Sequence, residues 1–109
     1  MTSPEPRRAE VWLAELDKRR PVIILTRDPL GRHLRSVIVA PVTSTVRGLS
    51  TEVPVGSEDG VRVPSVANLD NLQLLDRQRL VRRVGRARAT TMAAICQAVM
   101  AAIDCRDPA

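Results

Sequence analysis

The side chains able to do chemistry in this chain of 109 residues are arginines, hydroxyls, carboxylates and amides. Its one histidine, His33, excludes acid–base catalysis by a histidine pair. No CxxC, HExxH or EF-hand spacing occurs, so no metal site is expected. No glycine-rich phosphate loop or dinucleotide fingerprint occurs either, so no nucleotide cofactor is expected. Guanidinium and hydroxyl groups donate hydrogen bonds to phosphoryl oxygens, and amides can pair with base edges.

The overall charge agrees with an anionic partner. Seventeen basic residues against twelve acidic ones give a net charge of +5. Such a surface attracts phosphate polymers or acidic protein segments. Aromatic content excludes one class of binder. With one Trp and no Phe or Tyr, the chain cannot hold a single strand by stacking bases on a row of rings. Trp12 reads as a core ring. Arg82, Arg83, Arg86 and Arg88 read either as phosphate contacts or as a solvated strand face.

The elements that must position these groups follow from periodicity. Residues 10 to 16 alternate and predict a first strand. Lys18-Arg19-Arg20-Pro21 reads as a tight basic turn, with Pro21 at a strand start. Val22 to Thr26 is a β-branched and apolar run, expected to be buried on both faces. Asp28 to Gly31 is turn chemistry. Ser36 to Val42 predicts a third strand, with Pro41 marking an edge or bulge. Thr43 to Leu49 reads as a polar loop, Ser50 to Val55 as a strand, Gly56 to Gly60 as a turn and Ser65 to Leu69 as a strand. Asp70 to Asp76 reads as irregular, and Leu80 to Arg86 as a charged strand. The period then changes. Met92, Ile95, Cys96, Val99, Met100 and Ile103 form one apolar stripe of an amphipathic helix, with Thr90 or Thr91 as its N-cap. Many short strands followed by one helix predict a small curled sheet or barrel covered by that helix.

The length fits a single domain, 9–104, between an N-terminal arm, 1–8, and a C-terminal tail, 105–109. The first eight residues are polar and hold two prolines, which predicts no secretion signal. No apolar run approaches the roughly 20 residues that span a bilayer, so no membrane partner is expected. On one helix Cys96 and Cys105 would lie about 13 Å apart on opposite faces, too far for a disulfide. This agrees with a reducing, cytoplasmic location.

Several stretches, taken in order, resemble one family. Arg8-Ala9-Glu10-Val11-Trp12 is similar to the opening strand of the MazF/PemK toxins. Arg19-Arg20-Pro21 with the apolar run to Leu25 is similar to their second strand. Val39-Ala40-Pro41-Val42-Thr43-Ser44 through Gly48 is similar to their proline-containing Thr-Ser motif, and Glu52-Val53-Pro54 follows it. Ser65-Val66 with Leu69 and Asp70, and Arg83-Val84-Gly85-Arg86, match later positions. The joint order spans about residues 8 to 103 and is most similar to mycobacterial-like variants.

The resemblance implies a mainly β fold with a C-terminal helix, specifically a closed SH3-like small barrel. It implies a homodimer and a MazE-like acidic antitoxin that occupies the RNA groove. It also implies metal-independent cleavage of single-stranded RNA by 2′-OH attack, leaving 2′,3′-cyclic phosphate and 5′-hydroxyl ends. The family's working arginine and threonine fall on Arg20 and Thr43. A guanidinium and a hydroxyl at those places would stabilise charge building on the phosphoryl oxygens. Lys18, Arg19, Ser44, Thr45, Arg47, Asn71 and Gln73 are then expected to contact RNA.

The chain departs from the pattern in its short first loop. That loop lacks the family's glutamate and leaves the general base unassigned, with Asp17 as a candidate. Asn71 and Gln73 also stand where the family often carries Gln-x-Arg or Gln-x-Lys, so a charge is lost, and Ala9 replaces a glycine. Two other readings stay open: a CcdB-type toxin directed at gyrase, and a non-catalytic barrel that binds RNA or a peptide.

Overall fold

The computed structural model describes residues 4–103. The expected tail 105–109, and with it Cys105, lies outside the described residues, as do the first three residues of the expected arm. Seven strands and one helix follow in chain order: β1 Glu10–Glu15, β2 Arg19–Ile24, β3 Ser36–Thr43, β4 Glu52–Val55, β5 Ser65–Asn68, β6 Gln73–Asp76, β7 Leu80–Arg86 and α1 Ala89–Ile103. No helix among the described residues is long and apolar enough to cross a membrane.

The strands pair in the order β4-β5-β3-β2-β1-β7, every neighbour antiparallel, and β6 also pairs with β3. The closed SH3-like small barrel expected from the resemblance does not form. The architecture is mixed α/β, an open sheet with one C-terminal helix. Its ladder ends at β4 on one side and β7 on the other, with no pairing between them. Two features keep it open. The outer edge of β3 changes partner along its length, from β6 over Ser36 to Val39 to β5 at Val42 and Thr43. Pro41, which has no N–H to give, stands where the edge changes hands. The turn after β4 then meets β7 by packing rather than by hydrogen bonds. A Cβ on Gly60 would lie 2.5 Å from Gly85 Cα, and Gly60 has φ +86°, so both positions require glycine.

Side-chain alternation divides the core between the two faces of the sheet. In β2, Ile23 points into one cluster with Val11, Val53, Leu69 and Ile95. Val22 and Ile24 point into the other with Ala14, Val37, Val39 and Leu75. All three β2 residues are fully buried, as a run buried on both faces requires. The first cluster is covered by α1. The second holds no helical residue and is built from β1, β2, β3, β6 and β7, with Trp12 and Leu16 packed against it.

Helix α1 starts earlier than the threonines predict, at Ala89, so neither Thr90 nor Thr91 is its N-cap. A distant carboxylate satisfies the helix start instead. Buried Asp59 accepts the Arg88 N–H at 2.9 Å and the Thr91 hydroxyl at 2.9 Å. Of the predicted apolar stripe, Ile95 is buried and Met92 and Val99 are half-buried. Cys96, Met100 and Ile103 face outward.

Two further expectations change. Arg19 and Arg20 are strand residues paired with Glu15 and Ala14, and the turn is made by residues 16–18. The stretch read as irregular contains strand β6. Its alternation is short, and Leu74 faces solvent opposite an equally outward Ile38, so no polar–apolar pattern marks it.

Candidate active site

Strands β2 and β3 set the centre of the site. Their register pairs Val22 with Pro41, Ile23 with Ala40 and Ile24 with Val39. Arg20 lies two residues before Val22 and Thr43 two residues after Pro41, so both stand beyond the same end of this ladder. Both residues line one cleft of about 640 Å³, together with Asp17, Arg47, Asn68, Asn71, Gln73 and Arg79. A second cleft of about 380 Å³ opens on the other side of the same pair and carries Lys18, Arg19, Ser44, Arg62 and Arg82. Arg20 and Thr43 thus stand on the divide between two basic depressions.

The two central side chains differ in how they are engaged. The guanidinium of Arg20 donates to Asp17 from Nε at 3.1 Å to Oδ1 and from Nη2 at 3.3 Å to Oδ2. That is the two-pronged geometry a guanidinium offers to any planar or tetrahedral oxyanion. Hydrogen bonding from Arg20 is the main cause that holds the Asp17 carboxyl below its ordinary range, so it is an anion at neutral pH. Thr43 Oγ1 accepts the backbone N–H of Thr45 at 3.1 Å. A hydroxyl oxygen that accepts in this way keeps its own proton to donate.

Arg47 enters the first cleft from a loop tied down by one carboxylate. Glu52 Oε1 accepts the backbone N–H groups of Arg47 at 3.1 Å, Gly48 at 2.8 Å and Leu49 at 3.0 Å. Gly48 has φ +77°, which lets three successive N–H groups converge on one anion. The amide wall has its own anchor, since Asn68 Oδ1 accepts the Asp70 N–H at 3.1 Å where β5 passes into a 3-10 turn.

The predicted residues therefore divide. Arg20 and Thr43 line both clefts. Arg47, Asn71 and Gln73 line the first, and Lys18, Arg19 and Ser44 the second. Thr45 lies in neither and acts through its backbone on Thr43. Arg19 is held by Glu15, with Nε at 2.8 Å from Oε1. The late arginines separate as well. Arg83 pairs with buried Glu10 at 3.0 Å, and Arg88 pairs with Asp59 and Glu58. Arg82 reaches the second cleft. His33 is exposed, and half-buried Trp12 donates its Nε1–H to Glu10 at 3.1 Å.

Sequence reasoning missed Asn68, Arg62 and Arg79. Asn68 ends β5, within the strand predicted over Ser65 to Leu69, and no motif marks it. Arg79 lies between β6 and β7, and the sequence predicts no strand at β6 to place it. Arg62 had no signal beyond being one more arginine. Among the described residues no three His, Cys, Asp or Glu side chains converge as a metal site would require.

Residues 7–103 match the model of the PemK-like, MazF-like toxins of type II toxin–antitoxin systems. The chain is 46% identical over 94 residues to endoribonuclease MazF3 of Mycobacterium tuberculosis, covering 86% of this chain and 91% of that one. Its fold superposes on the Mycobacterium tuberculosis toxin MazF-mt6 with a TM-score of 0.85 at 44% identity, over 90% of this chain and 99% of that one. It also superposes on a mycobacterial endoribonuclease solved with its cognate antitoxin, with a TM-score of 0.84 at 28% identity, over 94% and 99% of the two chains.

Proposed function

We infer, from the premise that this chain belongs to the PemK-like, MazF-like toxins and is an endoribonuclease neutralised by a cognate antitoxin, that it cuts single-stranded RNA at a phosphodiester seated between Arg20 and Thr43. The ribose 2′-OH beside the bond attacks phosphorus and gives its proton to solvent, the bond to the 5′-oxygen of the next nucleotide breaks and that oxygen takes a proton from water, and a 2′,3′-cyclic phosphate and a 5′-hydroxyl result. Charge builds on the non-bridging oxygens along this path. The Arg20 guanidinium donates two hydrogen bonds to them and the Thr43 hydroxyl a third. In this role the guanidinium stabilises charge and passes no proton.

The observation that carries this reading is the convergence of Arg20 and Thr43, from adjacent strands, on the same cleft. RNA enters it by displacing Asp17 from Arg20, since the phosphate needs the donors that Asp17 now holds. A MazE-like antitoxin segment rich in acidic residues fits the same basic surface in place of RNA. A homodimer agrees with the apolar side chains left outside both cores, Ile38 and Leu74 on the sheet and Met100 and Ile103 on α1. The chemistry also agrees with a cytoplasmic site of action, where RNA is found.

The test is to incubate the purified protein with a mixed RNA pool in EDTA and to map the ends. Fragments carrying 2′,3′-cyclic phosphate are expected. Intact RNA, with the fold verified by circular dichroism, would reject the enzymatic reading.

A further inference from the structure

The two clefts that meet at Arg20 and Thr43 have different chemistry. The first is walled by the amides Asn68, Asn71 and Gln73. Asn68 uses its carbonyl oxygen on the Asp70 N–H and keeps its NH₂ group. Amides carry a donor and an acceptor side by side, which is what reading a base edge requires. The second cleft contains no amide side chain. It offers cations beside apolar side chains, buried Val61 and exposed Val63. Its Ser65 hydroxyl is already spent on the Val63 carbonyl at 2.7 Å. Among the described residues neither Arg62 nor Arg82 has a carboxylate partner, so their charge is available to an incoming anion.

We propose that the enzyme reads bases on one side of the scissile phosphate only. The strand on that side lies in the amide-walled cleft. The strand on the other side lies in the second cleft, where Arg62 and Arg82 hold its phosphates and nothing reads its bases. Phosphate contacts position a strand without carrying sequence information, whereas base-edge contacts specify it. The two halves of one groove are thus divided between recognition and grip, with the arginine and threonine at the boundary. This rests on the assignment of the Arg20–Thr43 cleft as the cutting site.

Cleavage of a randomised RNA pool, with both ends of each cut sequenced, tests it. Base preference is expected at positions on one side of the cut and none on the other. Preference of equal strength on both sides would overturn the division while leaving the endoribonuclease reading intact. A pool left uncut by folded protein would reject both. Variants give a second, independent arm, each checked for its fold. Asn68→Asp keeps the cap on Asp70 and removes the NH₂ donors, and Gln73→Ala removes an amide. Each is expected to relax discrimination at one base position by about tenfold. Arg62→Ala combined with Arg82→Ala is expected to lower kcat/KM by the same factor at every cut site. It should also reduce the log–log salt slope by about 1.4, from about 0.7 per phosphate contact on a single strand. An altered base preference in the double arginine variant, or a uniform loss in the amide variants, would contradict the assignment.

Discussion

Asp17 meets Arg20 through two parallel hydrogen bonds, 3.1 Å from Nε and 3.3 Å from Nη2, and so occupies the donors that a phosphate would use. The pair sits at the rim of the cleft, with Asp17 well exposed and Arg20 half-buried. Solvent screening keeps such a pair weak enough to exchange for RNA. The short first loop makes this possible, because only residues 16–18 separate β1 from β2.

The first prediction concerns that exchange. Replacing Asp17 with Ala frees Arg20 and is expected to lower KM for RNA by about threefold, the scale of one exposed ion pair. Steady-state kinetics on a defined oligonucleotide would show it. A fall in kcat of a hundredfold with KM unchanged would instead make Asp17 the base that takes the 2′-OH proton.

The second prediction concerns the loop carrying Arg47. Glu52 gathers three backbone N–H groups of that loop, so Glu52→Ala should release it and misplace Arg47. A loss of about tenfold in kcat/KM, carried mainly by KM, is expected, the worth of about one charge-assisted hydrogen bond. Combining it with Arg47→Ala gives the decisive comparison. If Glu52 works through Arg47, the double variant is no worse than Arg47→Ala alone. Additive losses would assign Glu52 a separate role.

The third prediction concerns stability and pH. Burial pushes the Asp59 carboxyl up, but the Arg88 backbone N–H and guanidinium, the Thr91 hydroxyl and the Gly56 N–H together outweigh it and hold the group below its ordinary range. A carboxyl whose pKa is depressed on folding contributes stability that is fully present above its unfolded value, about 3.9, and is lost as pH falls through the folded value. Urea denaturation should therefore show wild type weakening below about pH 4 more steeply than Asp59→Asn. At pH 7, Asp59→Ala should cost about 3 kcal/mol, since it orphans the N–H of Arg88 and the hydroxyl of Thr91 at the start of α1 and leaves the Arg88 guanidinium with Glu58 alone. Equal pH slopes in wild type and Asp59→Asn would show that the folded carboxyl is not depressed.

Much of this architecture is legible in the residues, and the parts that are not have physical causes. The run from Val22 to Ile24 declares burial on both faces because β-branched and apolar side chains fill consecutive positions. The helix declares itself through the spacing of Met92, Ile95 and Val99. Its first turn does not, because the cap comes from Asp59, 30 residues upstream, and local sequence cannot show a tertiary partner. Strand β6 is silent because Leu74 faces outward and breaks the alternation. The closed barrel was carried over from resemblance, and what decides against it is non-local: the change of partner along β3 and the glycine contact between Gly60 and Gly85. In the site, the residues named from motifs, Thr45 apart, line the two clefts, whereas Asn68, Arg62 and Arg79 reach them through folding alone.

The central claim is that Arg20 and Thr43 act on one phosphodiester, and single-turnover cleavage of a defined RNA by Arg20→Ala, Thr43→Ala and the wild type measures it most directly. Both variants should fold as the wild type does and lose at least about a hundredfold in the cleavage rate, the usual scale for removing one charge-stabilising donor. Losses below threefold in both would mean that the bond is cut elsewhere.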